Sequence, residues 1–133
     1  MKKAPILIAA LLAATPAFAH HSLTGYDSSR QVVVDGTVVE FRFAHPHPFL
    51  MVRAAVDGGK PETWQLEMDN LWELAEIGFT KTSFKPGERV VGRGSPSRTQ
   101  ATHIYLRRLD RPGDGLRYEQ IGFSPQVNFK PKS

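Results

Sequence analysis

The chain has 133 residues, of which 41% are hydrophobic and 23% charged, as expected for a single globular domain. It contains no cysteine, which excludes disulfides, thiolate metal sites and cysteine nucleophiles. The formal net charge is +4; without Lys2 and Lys3, 15 basic residues oppose 13 acidic ones and the charge is +2. So small a positive charge argues against nucleic acid as a partner.

The first 19 residues have the pattern of a secretory signal peptide. Met1-Lys2-Lys3 is a basic start, residues 4–14 are continuously apolar, and Ala17 and Ala19 are the small residues that a signal peptidase reads. An apolar run of this length is too short to span a bilayer, and no later segment approaches the length that would. We therefore predict cleavage after Ala19, a periplasmic location, and a mature chain without a transmembrane segment.

The mature sequence predicts a small barrel with one helix. Residues 20–31 form an N-terminal segment, residues 32–119 the barrel, and residues 120–133 a flexible tail without periodicity. Apolar, β-branched and alternating runs predict strands over residues 32–43, 49–56, 62–68, 89–95, 102–109 and 116–119. Between the third and fourth strands, Asn70 is a candidate helix N-cap and Gly78 a stop.

Three strands, one helix and two strands is the order of an OB-fold, a five-stranded Greek-key barrel. We therefore predict a mostly β protein with an OB-like barrel of five to six strands and the helix between strands 3 and 4. A β-sandwich is the alternative, although it would need about seven strands and no helix.

Several short motifs carry a resemblance to a known family: the mature start His20-His21-Ser22, Tyr26, Pro46-His47, Trp64-x-x-Glu67 and Lys85-Pro86-Gly87-Glu88. Together they resemble a family of small exported bacterial proteins known only as a domain of unknown function. The resemblance implies an exported OB-like barrel and implies no activity. This sequence departs from the expected pattern at His45, where the family has asparagine, and at Pro48, which precedes Phe49.

The histidines are the candidate metal ligands. After cleavage, His20 would be the amino terminus, and its amine and its own Nδ1 could chelate one metal. The amine has a pKa of about 7.7–8.0, so a strong Lewis acid displaces its proton near neutrality. One further imidazole would complete three nitrogen donors, a set that suits Cu(II). This arrangement resembles the histidine brace of lytic polysaccharide monooxygenases and of some periplasmic copper chaperones.

The third ligand of such a brace could come from His45 or His47, which are two residues apart, so in extended chain both imidazoles could share one face. A competing mode uses His21, which could bind Cu(II) locally, through the terminal amine, the intervening amide and its own Nδ1, without any fold. Equally, all four histidines could have ordinary structural roles, with His47 hydrogen-bonded to the backbone.

The remaining polar motifs favour structural roles. By strand alternation His103 faces outward, where we expect it to be solvated, and Asp69 is expected near the helix start. Trp64 and Trp72 are expected in the core. The arginines of the second half are expected to form a solvated strand face, although an acidic ligand could use it; they are Arg89, Arg93, Arg98, Arg107, Arg108, Arg111 and Arg117.

Two functional hypotheses follow. The first is an exported periplasmic protein that binds Cu(II) through His20 and nearby histidines, acting as a carrier or sensor. The second is a metal-free OB-type module that binds an unknown ligand or interacts with the envelope. The partner would be a metal ion or another periplasmic protein, and we expect a monomer. No pair of nucleophile and base can be identified, which argues against an enzyme.

Overall fold

A computed structural model describes residues 23–129. The elements are a 3₁₀ turn Leu23–Gly25, β1 Val32–Arg42, β2 Phe49–Ala54, β3 Glu62–Glu67, α1 Leu71–Glu76, β4 Arg89–Pro96, β5 His103–Arg111, β6 Leu116–Ile121 and β7 Ser124–Phe129. Each of the six predicted strands is present within three residues of its predicted ends, and the helix lies between the third and fourth as expected.

Five of the strands close into a barrel. The sheet order is β3-β2-β1-β4-β5-β6-β7, and an additional parallel pairing joins β3 to β5. In that pairing Gln65 is opposite His103 and Glu67 is opposite Tyr105. This pairing covers the edge of β3 that β2 leaves open. This closed barrel with one intervening helix is the predicted OB-like architecture, extended by β6 and β7.

The barrel interior is filled by apolar side chains that alternate along the strands. Its fully buried members include Val34, Leu50, Leu66, Ile104 and Leu106. Gly36 permits the tight coiling of β1, because a Cβ at this position would lie 2.2 Å from the carbonyl oxygen of Arg53. The register shift in β1 falls between Val38 and Glu40, which leaves Val38 buried and Val39 exposed.

Helix α1 begins where the sequence predicts. The side chain of Asn70 accepts a hydrogen bond from the backbone nitrogen of Glu73 at 3.0 Å, and Gly78 follows the helix with a φ of 97°. Within the helix, the side chain of Leu74 is fully buried in the core. The core prediction for Trp72 is wrong: it points away from the core and is 71% exposed. Trp64 is partly buried and packs against the core.

The end of the chain differs from the sequence prediction. Residues 124–129, expected to belong to a flexible tail, form β7 and pair antiparallel with β6 from Ile121–Ser124 to Leu116–Phe129. Gly122, with a φ of 61°, makes the tight turn between the two strands. Within residues 23–129, no helix is long and apolar enough to cross a membrane.

Candidate functional site

The connection between β1 and β2 places His45 and His47 in different surroundings. The chain bends at His45-Pro46, so the expectation that both imidazoles share one face is wrong. His45 is exposed, and its ring centroid lies 5.5 Å from that of Trp72. His47 is buried, with its Nδ1 2.8 Å from the carbonyl oxygen of Met68. The two histidines therefore cannot be treated as one ligand pair.

The contact to Met68 determines the tautomer of neutral His47. A carbonyl oxygen only accepts, so Nδ1 donates the hydrogen and the lone pair of the neutral ring resides on Nε2. Histidines that bind metals commonly donate the other ring N–H to a carbonyl in this way. His47 Nδ1 also lies 3.7 Å from Oε1 of Glu67, which connects it to a larger polar cluster.

The prediction that His103 is solvated is wrong, although Ile104 and Leu106 point into the barrel as expected. His103 is 7% exposed because the outer face of β5 is covered at this point. Its Nδ1 lies 2.6 Å from Oε1 of Gln100, and its Nε2 lies 3.0 Å from Oε2 of Glu67. Both ring nitrogens of His103 are therefore held by side-chain oxygens.

Tyr26 covers this outer face of β5. Its hydroxyl donates a hydrogen bond to Oε2 of Glu67 and lies 3.1 Å from Nε2 of His103. Its ring packs against Tyr105, with centroids 5.5 Å apart. Burial, together with the adjacent Glu67 carboxylate, raises the pKa of Tyr26, so the hydroxyl keeps its proton. We call Tyr26, Glu67, Gln100 and His103 the Glu67 cluster.

The carboxylate of Glu67 is the centre of this cluster. Burial alone would raise its pKa, but the hydrogen bonds from His103 and Tyr26 and the nearby His47 hold that pKa below its usual value. The side chain is only 17% exposed, so these donors replace most of its hydration. Asp69, by contrast, accepts a 2.6 Å hydrogen bond from Nε2 of Gln120 and has the structural role expected near the helix start.

The Glu67 cluster fastens the N-terminal segment to the barrel. Backbone hydrogen bonds support the attachment: Asp27 N donates to the carbonyl of Pro96, and Arg98 N donates to that of Gly25, each at 2.9 Å. Tyr26 also forms a β-bridge with Ser97. The segment that follows His20 and His21 is therefore bound at the barrel end that contains His47.

His20 and His21, like the predicted signal peptide, lie outside the described residues. Among residues 23–129, no group of three or more His, Asp or Glu side chains could hold a metal ion. Sequence reasoning missed the Glu67 cluster, although Tyr26 and Glu67 both belong to the motifs that carried the family resemblance. Those family motifs were the signal in the sequence that could have pointed to the cluster. Strand alternation could not, because by itself it predicts that His103 is exposed to solvent.

The predicted arginine face is a network of ion pairs. Arg93, Arg108 and Arg117 all contact the carboxylate of Asp110, at 3.0, 3.1 and 2.7 Å. These hydrogen bonds and charges outweigh the effect of burial and lower the pKa of Asp110. Arg111 bonds Asp114 at 2.8 Å. This part of the arginine face is therefore largely neutralised by the protein's own carboxylates.

Comparison with known proteins identifies a family. No curated protein and no solved structure matches the chain. A family model described as "Family of unknown function (DUF6152)" matches residues 9–105, which is more than half of the sequence and includes all of the barrel up to the first residues of β5. The match includes Tyr26, Glu67 and His103. This small β-barrel protein therefore belongs to the family of unknown function DUF6152.

Proposed function

We propose that this protein is exported to the periplasm and binds Cu(II) at the barrel end where its N-terminal segment meets His47. After cleavage behind Ala19, the ligands would be the amine and imidazole of His20 together with His47, and His21 would supply the local alternative. The observation that carries the proposal is the attachment of Tyr26 to Glu67, a carboxylate that is also 3.7 Å from His47 Nδ1.

Chain length supports this assignment. An extended chain spans at most about 3.6 Å per residue, so His20 lies no more than about 22 Å from the fixed Tyr26. The backbone between them is shortened by the turn at Leu23–Gly25, in which Tyr26 N donates to the carbonyl of Leu23 at 3.0 Å. The attachment of Tyr26 would thus allow His20 and His21 to reach this end of the barrel.

The chemistry of the donors favours copper. An amine and two imidazoles give three nitrogen ligands, a set for which Cu(II) has the highest affinity among the common divalent metals. His47 donates Nδ1–H to a carbonyl, which orients its ring. Nε2 would then be the atom that binds the metal. No reaction is assigned to the site, so the proposed role is that of a copper carrier or sensor.

Copper titration of the exported protein tests the proposal. N-terminal sequencing should begin at His20, and mass spectrometry should show one Cu(II) per chain. His47→Ala should weaken binding at least about tenfold, because one of three nitrogen donors is lost. His45→Ala is the matched control, since this exposed histidine contacts Trp72, and it should leave the affinity unchanged.

A melting experiment separates the fold-dependent site from a local one. Copper held by both His20 and His47 binds only the folded chain and should raise the melting temperature. If His20 and His21 alone hold the copper, His21→Ala should weaken the affinity and His47→Ala should leave it unchanged. Copper should then not change the melting temperature. Absence of tight binding in the unmodified protein would reject the copper proposal and favour the metal-free OB-type binding module.

A further inference from the structure

A polar pocket lies on the outer surface, where the loop before β1 meets β4 and β5. It has a volume of about 340 Å³. Its lining residues include two arginines, Arg30 and Arg107, and three serines, Ser28, Ser29 and Ser95. We call it the Arg30–Arg107 pocket. Arginine and serine side chains can donate hydrogen bonds, and an oxyanion requires donors around it.

A β-bulge directs Arg107 toward this pocket. In the β4–β5 ladder Arg93 is opposite Arg108 and Gly94 is opposite Leu106, so Arg107 is the additional residue. Gly94 permits the close approach of the strands, because a Cβ there would lie 2.1 Å from the carbonyl oxygen of Tyr105. The guanidinium carbon of Arg107 then lies 5.0 Å from the centroid of the Tyr105 ring. Packing on this buried ring limits the freedom of the arginine before any ligand binds.

The loop on the other side of the pocket is also held in place. Asp27 Oδ1 accepts hydrogen bonds from the backbone nitrogen of Ser29 at 3.1 Å and from its hydroxyl at 2.6 Å. Arg30 N donates to the carbonyl of Asp27 at 3.2 Å. Because Asp27 N is itself bonded to Pro96 at the end of β4, the loop carrying Arg30 is fixed relative to the strand.

The charge of this pocket is only partly balanced by the protein's own carboxylates. Among residues 23–129, neither Arg30 nor Arg107 forms an ion pair. The carboxylate of Asp27 interacts electrostatically with Arg30, but it also accepts the hydroxyl of Ser29 and lies 3.7 Å from Arg98. A larger cavity of about 530 Å³ beside β6 differs, because its arginines, Arg111 and Arg117, are paired with carboxylates at 2.8 and 2.7 Å. The smaller pocket, unlike this larger cavity, therefore has two arginines that no ion pair neutralises within residues 23–129.

We infer that the Arg30–Arg107 pocket binds a phosphate group, which both guanidinium groups contact and the hydroxyls of Ser28 and Ser95 help to orient. Arginine suits this ligand because its planar group donates two parallel hydrogen bonds to phosphate oxygens. The group could be free phosphate or a monoester carried by a larger molecule. This site uses none of the proposed copper ligands, so its existence does not depend on that proposal.

Titration of the metal-free protein with inorganic phosphate and with glycerol phosphate tests this inference, with calorimetry or amide chemical shifts as the measurement. Arg107→Gln and Arg30→Gln should each weaken binding about tenfold or more, because each removes charge-assisted hydrogen bonds. Arg53→Gln is the matched control: it removes the same charge from an exposed arginine outside the pocket and should have little effect.

The two ligands distinguish the source of the phosphate. Equal binding of both indicates recognition of the phosphate group alone, whereas tighter binding of glycerol phosphate indicates a monoester. Since Arg30 is exposed, Arg30→Gln should keep the melting temperature of the unmodified protein and thus report on binding rather than folding. The inference is overturned if neither ligand binds, or if Arg53→Gln weakens binding as much as the two pocket variants.

Discussion

The carboxylates of Glu67 and Asp110 each accept hydrogen bonds from more than one side chain, but their donors differ in exposure to solvent. The partners of Glu67 are Tyr26 and the buried His103, whose side chain is 8% exposed. The partners of Asp110 are arginines on the outer face of the sheet, and the side chain of Arg117, for example, is 45% exposed. The carboxylates themselves are similarly covered, at 17% and 22% exposure.

The exposure of the donors therefore determines what each network contributes. When Glu67 is removed, buried donors lose their acceptor and water cannot readily replace it, which is costly. When Asp110 is removed, its arginines can turn to solvent, and exposed ion pairs contribute little to stability. The comparison indicates that the Glu67 cluster fixes the structure, whereas the Asp110 network mainly balances surface charge.

Glu67→Ala should have the largest effect. It leaves the Tyr26 hydroxyl and the Nε2 of His103 without their shared acceptor, at a cost of about 3 kcal/mol of unfolding free energy. Urea denaturation followed by circular dichroism measures this loss. Glu67→Gln, which retains an oxygen acceptor, should lose less. A loss below about 1 kcal/mol for Glu67→Ala would mean that the cluster resembles a surface network.

Acidification should destabilise the protein through Glu67. Its pKa in the folded state is below its ordinary value of 4.5, so the folded protein binds the proton less readily than the unfolded chain. The resulting stability is present at neutral pH and is lost as the pH falls through the folded-state pKa. Melting temperatures measured from about pH 7 to about pH 3 should therefore fall less steeply in Glu67→Gln than in the unmodified protein. Parallel curves would contradict this assignment.

Asp110→Asn should have the smallest effect. Its ion pairs with Arg93, Arg108 and Arg117 are partly solvated, so the unfolding free energy should fall by no more than about 1 kcal/mol. The difference from the unmodified protein should shrink further in about 1 M salt, where the screening length is about 3 Å. A larger loss of unfolding free energy that does not depend on salt would contradict this prediction. It would mean that Asp110 stabilises the fold as Glu67 does.

Much of the barrel could be predicted because its strands follow a local rule. Leu50, Val52 and Ala54 alternate with other residues, and all three are buried in the interior. The cap at Asn70 is also a local interaction, between residues three apart. Strand β7 could not be predicted in this way, since its sequence contains Pro125 and lacks alternation, and it is held by pairing with β6.

The candidate site was only partly predictable. The sequence identified His47 as a candidate ligand and suggested hydrogen bonding to the backbone, which the contact with Met68 confirms. It placed His103 on the outer face of β5 but in solvent, because alternation describes direction and not what covers each face. Tyr26 is separated from His103 by 77 residues, and no local pattern reports that contact.

The sequence by itself determined the fold class, the positions of the first six strands and the helix cap, because these depend on alternation, turn residues and contacts within a few positions. Only the tertiary structure decided which polar residues meet. Barrel closure aligns β3 with β5 and so brings Glu67 to His103, and the N-terminal segment then places Tyr26 over both. Tertiary contacts also separate His45 from His47, since His45 packs near Trp72 and His47 is hydrogen-bonded to the carbonyl of Met68. These outcomes depend on residues far apart in the chain, whose contacts form only when the barrel is complete.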